Sequence, residues 1–379
     1  MKIAYYSSSR EDIPHDPKTV AANSDVMLNI IDSLKNDHEI FLYASTGSSV
    51  DGVTKIDLGL KAHGLDSAYN KEDWLKNVYT AYILRYLTEM AARSGEYDLI
   101  HLHVGKLYMG MPFARVSKCP VVLTIHQQLD PHEGEILKSF PGAYLVSISD
   151  NQRTRIPSLD YFATAYNGIN VDEFTFSAAG GDHCVFRSRI SPEKGVEDAI
   201  TAVKQAEKEL DIYGPGDEKY LADAIKPNTN DKIRYNGIVG KGEPEWTESY
   251  QKAKVLIMPI QWDEPFGLVM AEAMACGTPV IAYSRGSVPE VIKDGVTGFI
   301  VNPDSENAKN EYAIKNTGVE GLVEAIEKIY SMEDSEYKKM RENCRKHVEE
   351  NFTVQKMSEN YIEVYKRAID DFKTRQKTP

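Results

Sequence analysis

Cysteine is scarce in this chain: Cys119, Cys184, Cys276 and Cys344 are the four in 379 residues, and no two are spaced like a clip. Reduced thiols in a reducing compartment are expected. No run of 18 apolar residues occurs, which excludes a membrane-spanning helix, and the opening MKIAYYSSS lacks the basic-then-apolar build of a secretory leader. A cytoplasmic location is therefore expected. Metal-holding spacings are missing too: there is no HExxH, no CxxC and no pair of aspartates one residue apart, so a chemistry without metal or other cofactor is expected. Nothing like GxGxxG follows the first apolar run, which disfavours a dinucleotide-binding dehydrogenase. Lys and Arg form no clusters in a chain of net charge −13, so no nucleic-acid groove is expected. Residues 1–165 hold 16 Lys and Arg against 20 Asp and Glu, net −4, leaving −9 for the remainder. Neither half suits an anionic membrane surface.

What is present is material for two cores: 42% apolar and 27% charged residues over a length that favours two domains. In the first half, KIAYYS, HEIFLYAS, DLIHLHVG, PVVLTIHQ and AYLVSIS read as buried strands, with helical patterns such as SDVMLNIIDSLKN and EDWLKNVYTAYILRYLTEMAARSG between them. Such alternation implies right-handed parallel crossovers and a doubly wound sheet. At TAYNGINVDEF the pattern breaks and restarts: HCVFRSR, LDIYGPG, IRYNGIV, KVLIMPI, TPVIAYS and TGFIVNP read as a second parallel sheet, with helices at GVEDAITAVKQAEKEL, EPEWTESYQKA and FGLVMAEAMA. Ligands of such sheets bind beyond the carboxyl ends of the strands, so an active site between the two domains is expected. The last segment spaces Val354, Met357, Tyr361, Val364, Tyr365, Ala368 and Phe372 as one face of an amphipathic helix.

Within EPFGLVMAEAMACGTPVIA, Gly267 to Cys276 reads as a helix that is apolar on every side except at Glu272. A carboxylate in such a helix needs donors. Either an Arg or backbone N–H of the protein supplies them, or the vicinal hydroxyls of a ligand such as a ribose do. Ahead of it, Glu264 lies in a loop, Pro265 is expected to open the helix, and Gly267 allows close backbone approach, so the first-turn amides form an anion site. In VFRSRISPEKG, Arg189 and Lys194 are expected to converge at a strand end, either as a diphosphate clamp or as solvated surface cations. Gly214 and Gly216 in YGPG turn the chain, beside a ligand or simply as a turn. His126 leaves a strand of the first sheet, where packing and function are both open, while His101 and His103 are read as alternating, with at least one facing away from any cleft.

Glu264 and Glu272, with seven residues between them and followed by GSVPEVIKDGVTGFIV, resemble the Glu-x7-Glu signature of glycosyltransferase family 4, retaining enzymes of the GT-B fold. NGINVDEF, SRISPEKG, IYGPGDE, IRYNGIV and the strand pair DLIHLH and VVLTIH extend the resemblance over nearly the whole chain. It implies that Glu272 holds the ribose hydroxyls of a sugar nucleotide. Glu264 would lie against the transferred sugar together with the backbone amides of Phe266, Gly267 and Leu268. Arg189 and Lys194 match the diphosphate clamp, and His126 matches the histidine that contacts the sugar near the reacting carbon. The C-terminal helix would cross back to the first domain, with a hinge near residues 166–172 and 352–356. Two departures stand out: Ala21-Ala22 replaces a Gly-Gly loop near the donor phosphate and the acceptor, and Ser188 replaces the glycine before the clamp arginine.

The expected fold is therefore α/β, two Rossmann-like parallel-sheet domains facing across a cleft, with residues 1–167 plus 355–379 on the acceptor side and 168–354 binding the nucleotide sugar. The expected activity is retaining, metal-independent transfer of a sugar from a nucleoside-diphosphate sugar to a hydroxyl acceptor, a soluble sugar or glycan sooner than a lipid because the first domain is acidic. A GT-B sugar-nucleotide epimerase and a non-catalytic regulatory module that binds a sugar nucleotide are the alternatives.

Overall fold

The computed structural model describes residues 1–19, 21–62, 64, 72–304 and 311–377, without the side chains of 72–77 and 377. The chain divides into two compact units, Met1–Gly168 with Val354–Pro379, and Ile169–Thr353.

The first unit is built on seven parallel strands: β1 (Lys2–Tyr6), β2 (Glu39–Ala44), β3 (Thr54–Asp57), β4 (Leu99–Leu102), β5 (Val121–Ile125), β6 (Tyr144–Ser147) and β7 (Tyr161–Thr164), in the order β3-β2-β1-β4-β5-β6-β7. Parallel strands covered on both faces are apolar almost throughout, and β4, β5 and β6 are buried along their whole length. The edge strands β3 and β7, TKID and YFAT, were not among the expected strands. Both are half-exposed and lack the apolar run that marks the others. Helices α1 (Ala22–Leu34), α2 (Glu72–Arg93), α3 (Leu107–Ala114), α4 (Pro131–Leu137) and the short α5 (Asn151–Thr154) form the crossovers.

The second unit holds six parallel strands, β8 (His183–Arg187), β9 (Leu210–Tyr213), β10 (Ile233–Tyr235), β11 (Ala253–Met258), β12 (Val280–Tyr283) and β13 (Gly298–Val301), ordered β10-β9-β8-β11-β12-β13. All six coincide with the runs read from the sequence. Its helices are α6 (Val196–Gln205), α7 (Glu218–Tyr220), α8 (Pro244–Gln251), α9 (Leu268–Ala275), α10 (Val288–Val291), α11 (Gly318–Tyr330) and α12 (Asp334–Asn351). In both sheets the strand order reverses beside the first strand, β1 between β2 and β4 and β8 between β9 and β11, which is where sheets of this kind open a crevice for ligands.

The last helix, α13 (Val354–Lys377), belongs to the first unit. Met357, Tyr361, Val364, Tyr365 and Ala368 are buried. Its tyrosine hydroxyls reach into the sheet: Tyr361 meets Thr124 Oγ1 at 2.8 Å, and Tyr365 meets Tyr5 at 3.0 Å. The second unit is thus an insertion into the first. Its two ends are tied together, since the Ile169 amide donates to the Phe352 carbonyl at 2.9 Å and Ile169 bridges Thr353 in parallel.

Candidate functional site

In the second unit the expected residues gather at the carboxyl ends of β8, β9 and β11. After β11 the chain runs through Trp262 and Glu264 before α9 begins at Leu268. Pro265 does not open that helix, contrary to expectation. Gly267 is the N-cap and stands at φ +81°, a left-handed conformation in which the helix starts only beyond it. A Cβ there would also lie 2.5 Å from Met270 Cε. The Phe266 carbonyl accepts from Ser287 Oγ at 2.8 Å, which pins the loop. Among the described residues the amides of Gly267 and Leu268 donate to no acceptor, so they stay available to an anion.

Glu264 is far from a solvated loop carboxylate. Lys194 Nζ donates to its Oε2 at 2.8 Å, Trp262 Nε1 donates to the same oxygen at 3.1 Å, and the two charged side chains are only 14% and 13% exposed. The ammonium also lies 4.8 Å from the centre of the Trp262 ring. Lys194 reaches this place from the 3-10 turn Pro192–Lys194 that follows β8, and that turn is tied to the other loop by the Gln261 amide donating to the Glu193 carbonyl at 2.9 Å.

Arg189 behaves differently. Its side chain is 58% exposed and its ion pair is with Glu193, at 3.4 Å. The two cations of the expected clamp therefore pair with different carboxylates, Arg189 with Glu193 and Lys194 with Glu264, though the charges of both act on Glu193. Burial pushes the Glu193 carboxyl upward, but the nearby Ser191 hydroxyl, its own backbone amide and the charges of Arg189 and Lys194 outweigh it, leaving the group below its ordinary range. Ser188 sits beside Gly214, which stands at φ +137°, and a Cβ on Gly214 would fall 1.7 Å from the Ser188 carbonyl oxygen. The glycine thus serves a close passage of two backbones, holding the start of the Arg189 loop against the end of β9.

Glu272, on α9, is 9% exposed and accepts a hydrogen bond from Tyr250 Oη at 3.0 Å. The sequence reading offered an Arg, a backbone N–H or ligand hydroxyls as donors; the structure adds a phenol from α8. Burial pushes the Tyr250 hydroxyl far up, and the negative charge of Glu272 adds to the shift, so Tyr250 remains a donor at every working pH. Next to it, buried Arg187 ends β8 with its guanidinium 3.9 Å from the Trp246 ring centre and donates to Ser249 Oγ at 2.6 Å, locking α8 onto the sheet. The far end of α9 is braced by α12: Arg341 donates to the Cys276 carbonyl at 3.2 Å and Arg345 to the Ala275 carbonyl at 3.1 Å, cations on the orphan carbonyls of a C-terminus.

In the first unit, His126 follows β5 and its Nε2 lies 2.8 Å from His103 Nδ1, with the rings stacked at 5.0 Å. The reading of His101 and His103 as alternating fails on geometry. Positions two apart project to the same side of a strand, and the two rings lie 4.1 Å apart, both buried. His101 is bonded at both nitrogens, to Tyr365 Oη at 2.7 Å and Thr124 Oγ1 at 2.8 Å. Burial holds all three imidazoles neutral, pushing His126 down to about 3 and the other two well below their ordinary value. Both polar atoms of the Gln128 side chain are buried without a hydrogen-bond partner among the described residues. After β1, where the Ala21-Ala22 departure lies, α1 opens at Ala22 and His15 is held from both sides: Nδ1 by the Asp16 carbonyl and Nε2 by the Asp25 carboxylate, each at 2.9 Å. Both partners only accept, so the ring is an imidazolium, and the Asp25 hydrogen bond raises its proton affinity.

Tyr250, Trp262 and His103 have no place in the sequence reading of the site. The visible signals are slight: a tyrosine on the apolar side of WTESYQKA, a tryptophan two residues before Glu264, and a histidine two residues along from His101.

Residues 177–347 match the family model described as glycosyl transferases group 1. An uncharacterized glycosyltransferase of Methanocaldococcus jannaschii, MJ1607, is 28% identical over 253 residues, 55% of this chain and 64% of that protein. Alpha-maltose-1-phosphate synthase of Mycobacterium tuberculosis is 32% identical over 147 residues, 37% of this chain and 38% of the synthase. The chain thus spans less than two thirds of the length of these curated relatives. Among solved structures, Anabaena Alr3699/HepE in complex with UDP and glucose superposes with a TM-score of 0.67 at 16% identity, covering 97% of this chain and 100% of that one. At that identity the likeness is one of fold, the GT-B arrangement of two Rossmann-like parallel-sheet domains.

Proposed function

We propose that this chain, whose residues 177–347 match the model of the group 1 glycosyl transferases, moves a sugar from a nucleoside-diphosphate sugar to a hydroxyl acceptor with retention of anomeric configuration and without a metal ion. The observation that carries the reading is the Lys194–Glu264 pair: residues 70 apart in sequence, delivered from the ends of two neighbouring strands, meet at 2.8 Å with both side chains largely shielded from water. Beside them lie the amides of Gly267 and Leu268, which donate to no acceptor among the described residues. A fixed ammonium and free helix amides stabilise charge that grows on a departing diphosphate.

Glu272 takes the ribose hydroxyls. Tyr250 keeps its carboxylate oriented, and a carboxylate, which only accepts, suits the donors of a diol. Arg189, exposed and paired with Glu193, swings to the phosphates when they bind. Glu264 orients Lys194 and lies along the transferred sugar; the first unit supplies His126 and the acceptor. His126, neutral at working pH, contacts the sugar as a hydrogen-bonding group and carries no charge. The acidic first unit favours a soluble sugar or glycan as acceptor over a lipid in an anionic bilayer. That the Anabaena neighbour's complex contains UDP and glucose supports a donor of this class.

A thermal-shift panel of sugar nucleotides, followed by NMR of the product formed from the best stabiliser in the presence of a chelator, tests the reading. An axial donor bond kept axial in the product, with full rate under chelation, is expected. An inverted anomeric centre, or no stabilisation by any nucleoside diphosphate, would overturn it.

A further inference from the structure

The contact between His103 and His126 fixes more than the position of a ring. Both imidazoles are neutral, so the 2.8 Å bond between His103 Nδ1 and His126 Nε2 contains one proton: one ring donates and the other accepts. The outer nitrogens decide which. His103 Nε2 is buried and has no hydrogen-bond partner among the described residues. Were His126 the donor, His103 would have to keep its own proton on Nε2, leaving a buried N–H with nothing to receive it. With His103 as donor, the same atom is only an unfilled lone pair. Buried orphan donors are the rarer and costlier of the two.

We infer that His103 is a positioning residue that donates its Nδ1–H to His126 Nε2, locking His126 in the tautomer whose remaining nitrogen, Nδ1, carries a proton. His126 is only half-buried and its Nδ1 has no partner among the described residues. What it presents is therefore a fixed hydrogen-bond donor and not a base. Resting on the reading that His126 meets the transferred sugar, this makes its counterpart an oxygen lone pair of that sugar, a hydroxyl acting as acceptor, and it removes His126 from any proton transfer. The neighbouring His101 cannot replace His103 in this role, because both its nitrogens are engaged by Tyr365 and Thr124.

Nitrogen-15 NMR of the full, histidine-labelled chain without substrate reads the tautomer directly. A His126 protonated at Nδ1 is expected; a His126 protonated at Nε2 overturns the inference whether or not the protein transfers sugar. Two variants of nearly equal shape extend the test. In His103→Asn the amide N–H2 takes the place of Nδ1–H, so the wild-type tautomer and a kcat within about threefold are expected, a loss smaller than one hydrogen bond. In His103→Asp the side chain only accepts, which draws a proton onto His126 Nε2 and abolishes the wild-type tautomer, and kcat is expected to fall about tenfold or more. Equal losses in the two variants, with both folded by circular dichroism, would contradict the assignment. The wild-type spectrum decides alone if a variant does not fold.

Discussion

Replacing Lys194 by Met isolates the pair on which the functional reading rests. The substitution keeps the length of the side chain and removes the ammonium, so Glu264 Oε2 is left with Trp262 Nε1 alone of its two described donors. Breaking a fully buried ion pair costs ~3–5 kcal/mol. With 14% and 13% of the two side chains still open to solvent, a loss of about 2 kcal/mol is the reasonable expectation. In a domain of this size that lowers the unfolding midpoint by about 4–8 °C. Adding Glu264→Gln to the same chain neutralises the stranded carboxylate and should restore most of the stability. If Lys194 has a second task, stabilising charge on the leaving diphosphate, turnover must not recover with it. A preorganised charge of this kind contributes roughly 100- to 1,000-fold in kcat. Scanning calorimetry and initial rates on the wild type, the two single variants and the double variant complete the cycle. A double variant that regains turnover along with its melting temperature would show the lysine to be structural, and the diphosphate assignment would fall.

Other perturbations are as direct. Tyr250→Phe removes a donor from a buried carboxylate, and a destabilisation of ~1.5–3 kcal/mol is expected in urea titration, with nucleoside diphosphate recovering more stability in the variant than in the wild type. Gly214→Ala must place a Cβ 1.7 Å from the Ser188 carbonyl at φ +137°, so a loss of at least ~2 kcal/mol and weaker diphosphate binding are expected by calorimetry, and an unaltered melting temperature would be incompatible with the described loop. The His15–Asp25 contact raises the folded proton affinity of His15 above the free value of ~6.5, so its stabilisation is complete below that pH and fades as pH rises through the folded value. The stability gap between wild type and Asp25→Asn should shrink from pH 6 to pH 9. His126 has the opposite sign: pushed down to about 3, it favours the folded state above ~6.5 and costs up to ~1.4 kcal/mol per pH unit below it. His126→Gln should flatten that acid slope in pH-dependent urea midpoints.

The sheets were the legible part of this chain, and the reason is their burial. Strands covered on both faces have almost no polar residues to interrupt the run, as in KVLIM and VVLTI, whereas the half-exposed TKID and YFAT carry no such mark. Helix α12 is equally hard to see, since Tyr337, Met340, Cys344 and Val348 form a thin stripe in an otherwise charged segment. Among site residues, Glu272 announced itself because a lone acid in an apolar helix demands a partner. The identity of that partner did not: Tyr250 lies 22 residues earlier on another helix, and only the packing of α8 onto β8 by Arg187 brings its hydroxyl into reach. His103 was misread through strand geometry, and Pro265 through the usual preference of proline for a first helical turn, which the left-handed Gly267 overrides here by delaying the helix to Leu268.

Because the chain enters the second unit at Ile169 and leaves it at Thr353, with the two points joined by a backbone hydrogen bond, that unit behaves as a cassette. Excising it asks the first unit to bridge only a narrow gap, and a foreign cassette whose ends lie as close together can be spliced in without rerouting α13. A change in what the second unit binds can therefore be acquired wholesale, by exchange of one contiguous genetic segment, while the seven-stranded unit is left as it was.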